Sequence, residues 1–291
     1  KEDIMRKILL VLVLFFSMCL IGCSEPTFDE ESGILRVGLE CAYAPFNWTE
    51  TEKTDSNVPI SNASNMYADG YDVQIAKLIA DDLGYELEIQ MIEWDGLVIA
   101  LKSGTIDLII AGMSPTEERK ESISFTNPYY TSTHVLVMKE ASQYARAKTF
   151  NDLSGAKITG QSNTVYDDLA VQINEKNANA KRATPLESVP LIINAINSDT
   201  SNKTITVLEE PVAKGIVTNQ EGYVYIRLEE QFELDEKTGL AKLKESSEIN
   251  LGHLGKFKEK VVSVNKKIHG IYDKLGGAQI ESRWVFGSLI M

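Results

Sequence analysis

The chain has 291 residues, enough to bury a sizeable core and to form two domains of ordinary size. Apolar residues make up 43% and charged residues 24%, the composition of a soluble globular protein. A formal charge of −13 argues against nucleic acid or an anionic membrane surface as a partner.

Residues 1–22 read as an export signal, with 1–4 upstream of a start at Met5. Arg6 and Lys7 form a short positive region, and the apolar run from Ile8 to Ile21 is too short to read as a membrane span. The run ends Leu20-Ile21-Gly22-Cys23, which resembles the lipobox of bacterial lipoproteins. That resemblance implies lipid on the Cys23 sulfur and a chain held at the extracytoplasmic face of the cell membrane. Cys19 would leave with the signal and Cys41 would remain alone, so the mature chain has no disulfide to form. An anchored chain with a large polar body suggests a receptor or binding module. Residues 23–33, acidic and polar, are expected to be a tether.

The mature chain then alternates. "ILRVGLE" (34–40) is expected to be a buried strand, and the polar stretch from Thr49 to Asn65 an exposed loop. From Gly70 the apolar residues Val73, Ile75, Ala76, Leu78, Ile79 and Leu83 mark one face of a helix that Gly84 ends. "ELEIQMI" (86–92) alternates like a strand, "DGLVIALKSG" (95–104) is a short helix, and "IDLIIA" (106–111) is a further strand. "HVLVMK" (134–139) is another. The rhythm restarts with a strand at 156–159, helices from Thr164 to Glu175 and Leu186 to Asn197, a strand at 204–209, a helix at 210–217 and a strand at 223–228. This order indicates an α/β chain with mainly parallel sheets. A second lobe at 140–222 is expected to be inserted into a first lobe made of 34–139 plus 223–291. Two strands, near 134–139 and 223–228, would cross between them.

The stretch "AGMSPTEER" (111–119) carries chemistry. It follows the apolar run Ile106–Ile110, broken only by Asp107, and offers small residues, hydroxyls and an arginine at a helix start. Free N–H groups with a guanidinium can hold an anion, and sites in such folds lie at the carboxyl ends of strands. The same letters also fit an ordinary strand–helix turn with a capping serine and a surface arginine. His134, His253 and His269 lack metal-ligand spacing, so no metal or other cofactor is indicated. No CxxC pair, phosphate loop or G-x-S-x-G elbow occurs, and nothing calls for catalysis.

The blocks "LRVGLECAYAPFNW", "ADGYDVQIAKLIADDLG", "EWDGLVIALKSGTIDLIIAGMSPTEERKESISFTNPYY", "GAKITGQSNTVYD" and "LEEPVA" together resemble a family. It is that of the solute-binding proteins of polar amino-acid ABC importers, the bacterial extracellular family 3 type. The resemblance runs from Leu35 to Val217; residues 229–291 match poorly, although 253–275 look like a closing helical region. It implies a periplasmic-binding-protein-like clamp of two lobes, each a mainly parallel sheet flanked by helices, that closes over one free amino acid. The clamp would deliver that amino acid, as a monomer, to a permease and ATPase. By resemblance Arg119 takes the substrate carboxylate, with Ser114, Ala111 and the Gly112 backbone beside it. Gln161, Asn163 and Thr164 answer from the second lobe. Glu209 holds the ammonium, with Glu210 as the other possibility. Tyr43 and Trp94 would form aromatic walls, and Glu40 would read the side chain. An acid there favours a basic ligand, arginine first; a glutamine or cystine binder, a sensor, or a dehydratase-like enzyme on the same fold are the alternatives.

Overall fold

The structure, a computed structural model, describes residues 32–228 and the strand Val285–Ile290. The export signal, Cys23, most of the expected tether and the 253–275 segment lie outside the described residues.

Two five-stranded sheets form the centres of two lobes. In the first, Ile34–Leu39 lies between Glu86–Met91 and Leu108–Ile109, parallel to both. Val285–Ile290 then runs antiparallel between Leu108–Ile109 and Phe125–Thr131, so the apolar end of the chain docks as a strand. In the second, Lys157–Thr159 lies parallel between Lys181–Arg182 and Thr204–Glu209. His134–Lys139 and Tyr223–Ile226 complete that sheet antiparallel. This corrects the expected lobe boundary. His134–Lys139 and Tyr223–Ile226, read from the sequence as belonging to the first lobe, both pair in the second. An apolar alternating strand reads the same whichever sheet accepts it. The crossing out of the first lobe is therefore the short link Ser132–Thr133, between Phe125–Thr131 and His134–Lys139.

The helices follow their apolar spacing. Tyr71–Leu83 buries Val73, Ile75, Ala76, Ile79 and Ala80, one stripe at helical period, and stops where Gly84 takes a left-handed φ of 73°. Val165–Lys176 does the same in the second lobe with Leu169, Ala170 and Ile173. Each stripe packs on its own sheet: Leu35, Val37 and Ile89 in the first, Ile158, Ile205 and Val207 in the second. The expected Thr49–Asn65 loop is in part structured. Asn47–Glu50 and Val58–Pro59 join Ala42–Tyr43 and Tyr67–Asp69 in a small antiparallel sheet.

The one charge inside the run Ile106–Ile110 has a structural use. The Asp107 side chain is 6% exposed and accepts a two-pronged bond from the Arg36 guanidinium at 2.7 and 3.0 Å. It also accepts from the Arg36 backbone N–H at 2.8 Å, which pins the register of two parallel strands. Because the arginine side chain is a third exposed, solvent weakens the pair. Asp107→Ala is expected to lower the unfolding free energy by about 1–3 kcal/mol in a urea titration; a change below about 0.5 kcal/mol would mean the register does not need it.

Candidate functional site

The carboxyl ends of the central strands face one another across a cleft. On the first lobe, Ile34–Leu39 ends at Glu40, which is 7% exposed. Cys41 then turns the chain with a left-handed φ of 57°, and Tyr43 follows, buried. The neighbouring strand Leu108–Ile109 leads into the strip 111–114 and then into the four-residue helix Glu117–Lys120. The cap of that helix is Thr116, whose hydroxyl accepts from the Arg119 N–H at 3.3 Å, and not Ser114. The Arg119 side chain turns back over the strip. It donates to the Ser114 carbonyl at 2.8 Å and lies over the Trp94 ring, 5.2 Å from its centre.

On the second lobe, Lys157–Thr159 leads to Gln161, then to Thr164, which caps Val165–Lys176. Its hydroxyl accepts from the Tyr166 N–H and donates to the Gln161 carbonyl. Glu209 ends Thr204–Glu209 and is 1% exposed. Ten of the expected residues line this one cleft: Glu40, Tyr43, Trp94, Ala111, Gly112, Ser114, Arg119, Gln161, Thr164 and Glu209. With Val165 and Tyr166 they bound about 320 Å³ of empty space, counting the part that opens to solvent.

The eleventh, Asn163, does not line the cleft. It stands at the rim with a left-handed φ of 55°, and its amide donates to Asp95 at 2.9 Å. Its carbonyl accepts from the Trp94 indole at 3.1 Å and from Arg119 at 2.8 Å. Gly112 lines the cleft, yet its N–H is already given to the Tyr129 hydroxyl at 3.0 Å. Here glycine is required twice over: φ is 61°, and a Cβ would stand 3.2 Å from the Tyr43 ring. Of the two acids before "PVA", Glu210 turns to Thr133 and Arg227, and Glu209 faces the cleft.

Contacts between the lobes set the electrostatics. Both Glu40 oxygens accept from the Gln161 amide, at 3.1 and 3.2 Å. The Tyr43 hydroxyl donates to Glu209 and touches the Tyr166 hydroxyl. Burial raises the Glu40 carboxyl to about 7, opposed by the Gln161 bond and helped by Glu93 and Asp95. Burial likewise raises Glu209 to about 8, opposed by the Tyr43 bond. Burial lowers the Arg119 guanidinium to about 10, so it stays a cation at neutral pH. Buried His134 is lowered to about 4 and is neutral; its Nε2 lies 3.9 Å from Glu209 Oε1. That oxygen has no hydrogen-bond partner among the described residues.

Three residues escaped the sequence reading: Val165, Tyr166 and His134. Tyr166 sits in the first turn of a helix, where an aromatic reads as core. His134 opens a strand and meets Glu209 only through antiparallel pairing, register His134↔Glu209.

Two lobes facing one small cleft that carries one cation and two acids define a two-lobed binding-protein fold. The chain belongs to the bacterial extracellular solute-binding proteins, family 3, whose sequence profile matches residues 35–284. It is similar to the arginine-binding extracellular protein ArtP of Bacillus subtilis, 32% identical over 173 residues, spanning 58% of this chain and 61% of that protein. It is also similar to the L-arginine-binding protein of Pseudomonas aeruginosa, 28% identical over 271 residues, 90% of this chain and 95% of that one. Among solved structures, the amino acid ABC transporter substrate-binding protein AbpA of Streptococcus pneumoniae, bound to L-arginine, superposes with a TM-score of 0.63 at 27% identity, covering 84% of this chain and 94% of that one.

Proposed function

We propose that this chain is the substrate-binding component of an ABC importer and that it captures a free basic amino acid, arginine first. One observation carries the reading: the cleft holds one cation, Arg119, and two acids, Glu40 and Glu209. A basic amino acid is the mirror of that set, with one carboxylate, one ammonium and one side-chain cation. Burying charges is tolerable only when each is paired, so the match of number and sign matters. Arg119 takes the carboxylate, with Ser114 and Thr164 beside it. Glu209 takes the ammonium through its unpartnered oxygen. Glu40 takes the distal cation, with Tyr43 and Trp94 as walls on which a guanidinium can stack. The relatives named for arginine support the same ligand. In this reading the chain is a monomeric binding protein and not an enzyme. Cys23 carries the lipid that holds it at the outer face of the cell membrane, within reach of the permease and ATPase.

A second ligand, glutamine, is supported by a specific contact: the Gln161 amide already sits on both oxygens of Glu40. A bond to a charged donor exceeds a neutral one by about 1–2 kcal/mol, so arginine should lead glutamine by about ten-fold.

Calorimetric titration of the parent with arginine, lysine, histidine, glutamine and cystine gives the order. Arg119→Ala should cost about 2–5 kcal/mol, roughly thirty-fold or more in affinity, with the fold intact. Glu40→Gln should cost arginine more than glutamine. An Arg119→Ala protein of parental affinity, or a parent that ignores arginine, would remove the reading.

The raised carboxyls add a pH test. Glu40 at about 7 and Glu209 at about 8 are partly protonated near neutrality, and a ligand cation favours their ionised forms. Arginine binding should therefore release protons and strengthen as pH rises from about 6 to about 8. Binding heats in buffers of different ionisation enthalpy measure this; buffer-independent heats and a flat affinity would count against both cation sites.

Anchoring is tested by fractionation. Cys23→Ala should move the protein from the membrane pellet to the soluble fraction, and an unchanged distribution would defeat lipidation at that residue.

A further inference from the structure

The acids of the cleft rim and walls do not include Asp72, yet this carboxylate is 0% exposed in the first turn of Tyr71–Leu83. Its two oxygens serve two different chains of hydrogen bonds. Oδ2 accepts from the Asn47 amide at 2.8 Å, and the Asn47 carbonyl accepts from the Cys41 N–H at 2.8 Å. Oδ1 accepts from the Tyr129 hydroxyl at 2.8 Å, and that hydroxyl accepts from the Gly112 N–H at 3.0 Å. Cys41 and Gly112 are the two left-handed positions that turn the chain just past Ile34–Leu39 and Leu108–Ile109, neighbouring parallel strands. One turn carries Glu40 and Tyr43. The other carries the strip that Arg119 covers.

We propose that Asp72 is a positioning residue that fixes both turns at once, through Asn47 on the Glu40 side and through Tyr129 on the Arg119 side. Hydrogen-bond polarity demands an acid here. The Asn47 oxygen is committed to Cys41, so its nitrogen must donate; the Tyr129 oxygen is committed to Gly112, so its proton must be donated too. A group that accepts on both sides satisfies the pair, and an ionised carboxylate does; burial raises the Asp72 carboxyl to about 7, and the Asn47 and Tyr129 bonds oppose that rise by favouring the ionised form. An amide would face one donor with another. The left-handed backbone at Cys41 is costly for a residue with a Cβ, and it is held by the Asn47 side-chain oxygen at its N–H and by the Thr49 hydroxyl at its carbonyl. The inference rests on the ligand reading above for its effect on binding, though not for the network itself.

The test separates the two arms in the full chain. Amide exchange, followed by NMR on ligand-free protein, should accelerate roughly ten-fold at Gly112 alone in Tyr129→Phe and at Cys41 alone in Asn47→Ala. Asp72→Asn should accelerate at least one of them. In binding, Tyr129→Phe should lower arginine and glutamine affinity by the same factor, roughly ten-fold, because both ligands share a carboxylate end. Asn47→Ala should lower arginine more than glutamine, shrinking their ratio roughly three-fold. A merely structural role would lower the melting temperature and leave the dissociation constants of the folded protein and their ratio unchanged; that result overturns the proposal. If Asn47→Ala does not fold, Asp72→Asn decides, and parental affinities for both ligands would overturn the proposal. A parent that binds neither amino acid defeats the ligand reading, and the exchange rates at Cys41 and Gly112 then judge the inference alone.

Discussion

A charge taken out of water must find an opposite charge, a set of hydrogen bonds or its missing proton, and that constraint organises this molecule. Each ionisable group facing the cleft is met by a neutral group from the opposite lobe. Glu40 of the first lobe meets the Gln161 amide, Arg119 meets the Asn163 carbonyl, and Glu209 of the second lobe meets the Tyr43 hydroxyl. The lobes thus touch through the same groups that a charged ligand would engage. Capture then means exchanging neutral partners for charged ones. In the proposed reading a ligand charge would replace a neutral partner at Glu40 and Arg119, and at Glu209 it would also meet the oxygen that has no partner among the described residues.

The same constraint explains where the rigidity lies. The first lobe holds Glu40, Tyr43, Trp94, the 111–114 strip and Arg119, more of the cleft than the second lobe supplies. Its two turns are tied to one buried acid by bonds of 2.8 to 3.0 Å. The second lobe offers a helix start, with the Thr164 hydroxyl engaged in both directions, and the single acid Glu209. Across the rim, Asn163 gathers Trp94, Asp95 and Arg119. The first lobe therefore supplies more of the cleft wall than the second, seven lining residues against five.

Much of the fold was legible because its signals are local. The Tyr71–Leu83 stripe and its glycine stop, the strand Ile34–Leu39 and the strand–helix pair Thr204–Glu209 and Glu210–Asn219 follow from period and caps. The small antiparallel sheet was not legible, since its strands are two to four residues long and partly polar. Nor was the sheet that His134–Lys139 joins, because pairing partners are remote in sequence. The 111–119 stretch was open to an anion-site reading from its own letters, while the other cleft residues came only through family resemblance; as isolated letters Tyr43 and Trp94 read as core. Asp72 was invisible for another reason. An acid in a first helical turn looks like a dipole partner, and its actual donors, Asn47 and Tyr129, lie 25 and 57 residues away.

Selectivity in such a cleft is limited by the partner that Glu40 already has. A ligand without distal donors leaves the Gln161 amide in place on both oxygens, so no charge is orphaned when a smaller amino acid enters. Sites that reject an analogue by many orders of magnitude do so by leaving a buried group unpaired. Here Gln161 prevents that penalty, and burial adds to the effect by letting the carboxyl take up a proton near pH 7. Glu209, which burial raises further, to about 8, differs in its bonds: its Oε1 has no hydrogen-bond partner among the described residues, and the nearby His134 is neutral. In the proposed reading an ammonium satisfies it, and every free amino acid carries one. In the proposed reading the site is therefore stricter about the amino acid's common end than about its side chain. That asymmetry follows from which buried acid is already hydrogen-bonded on both oxygens and which is not.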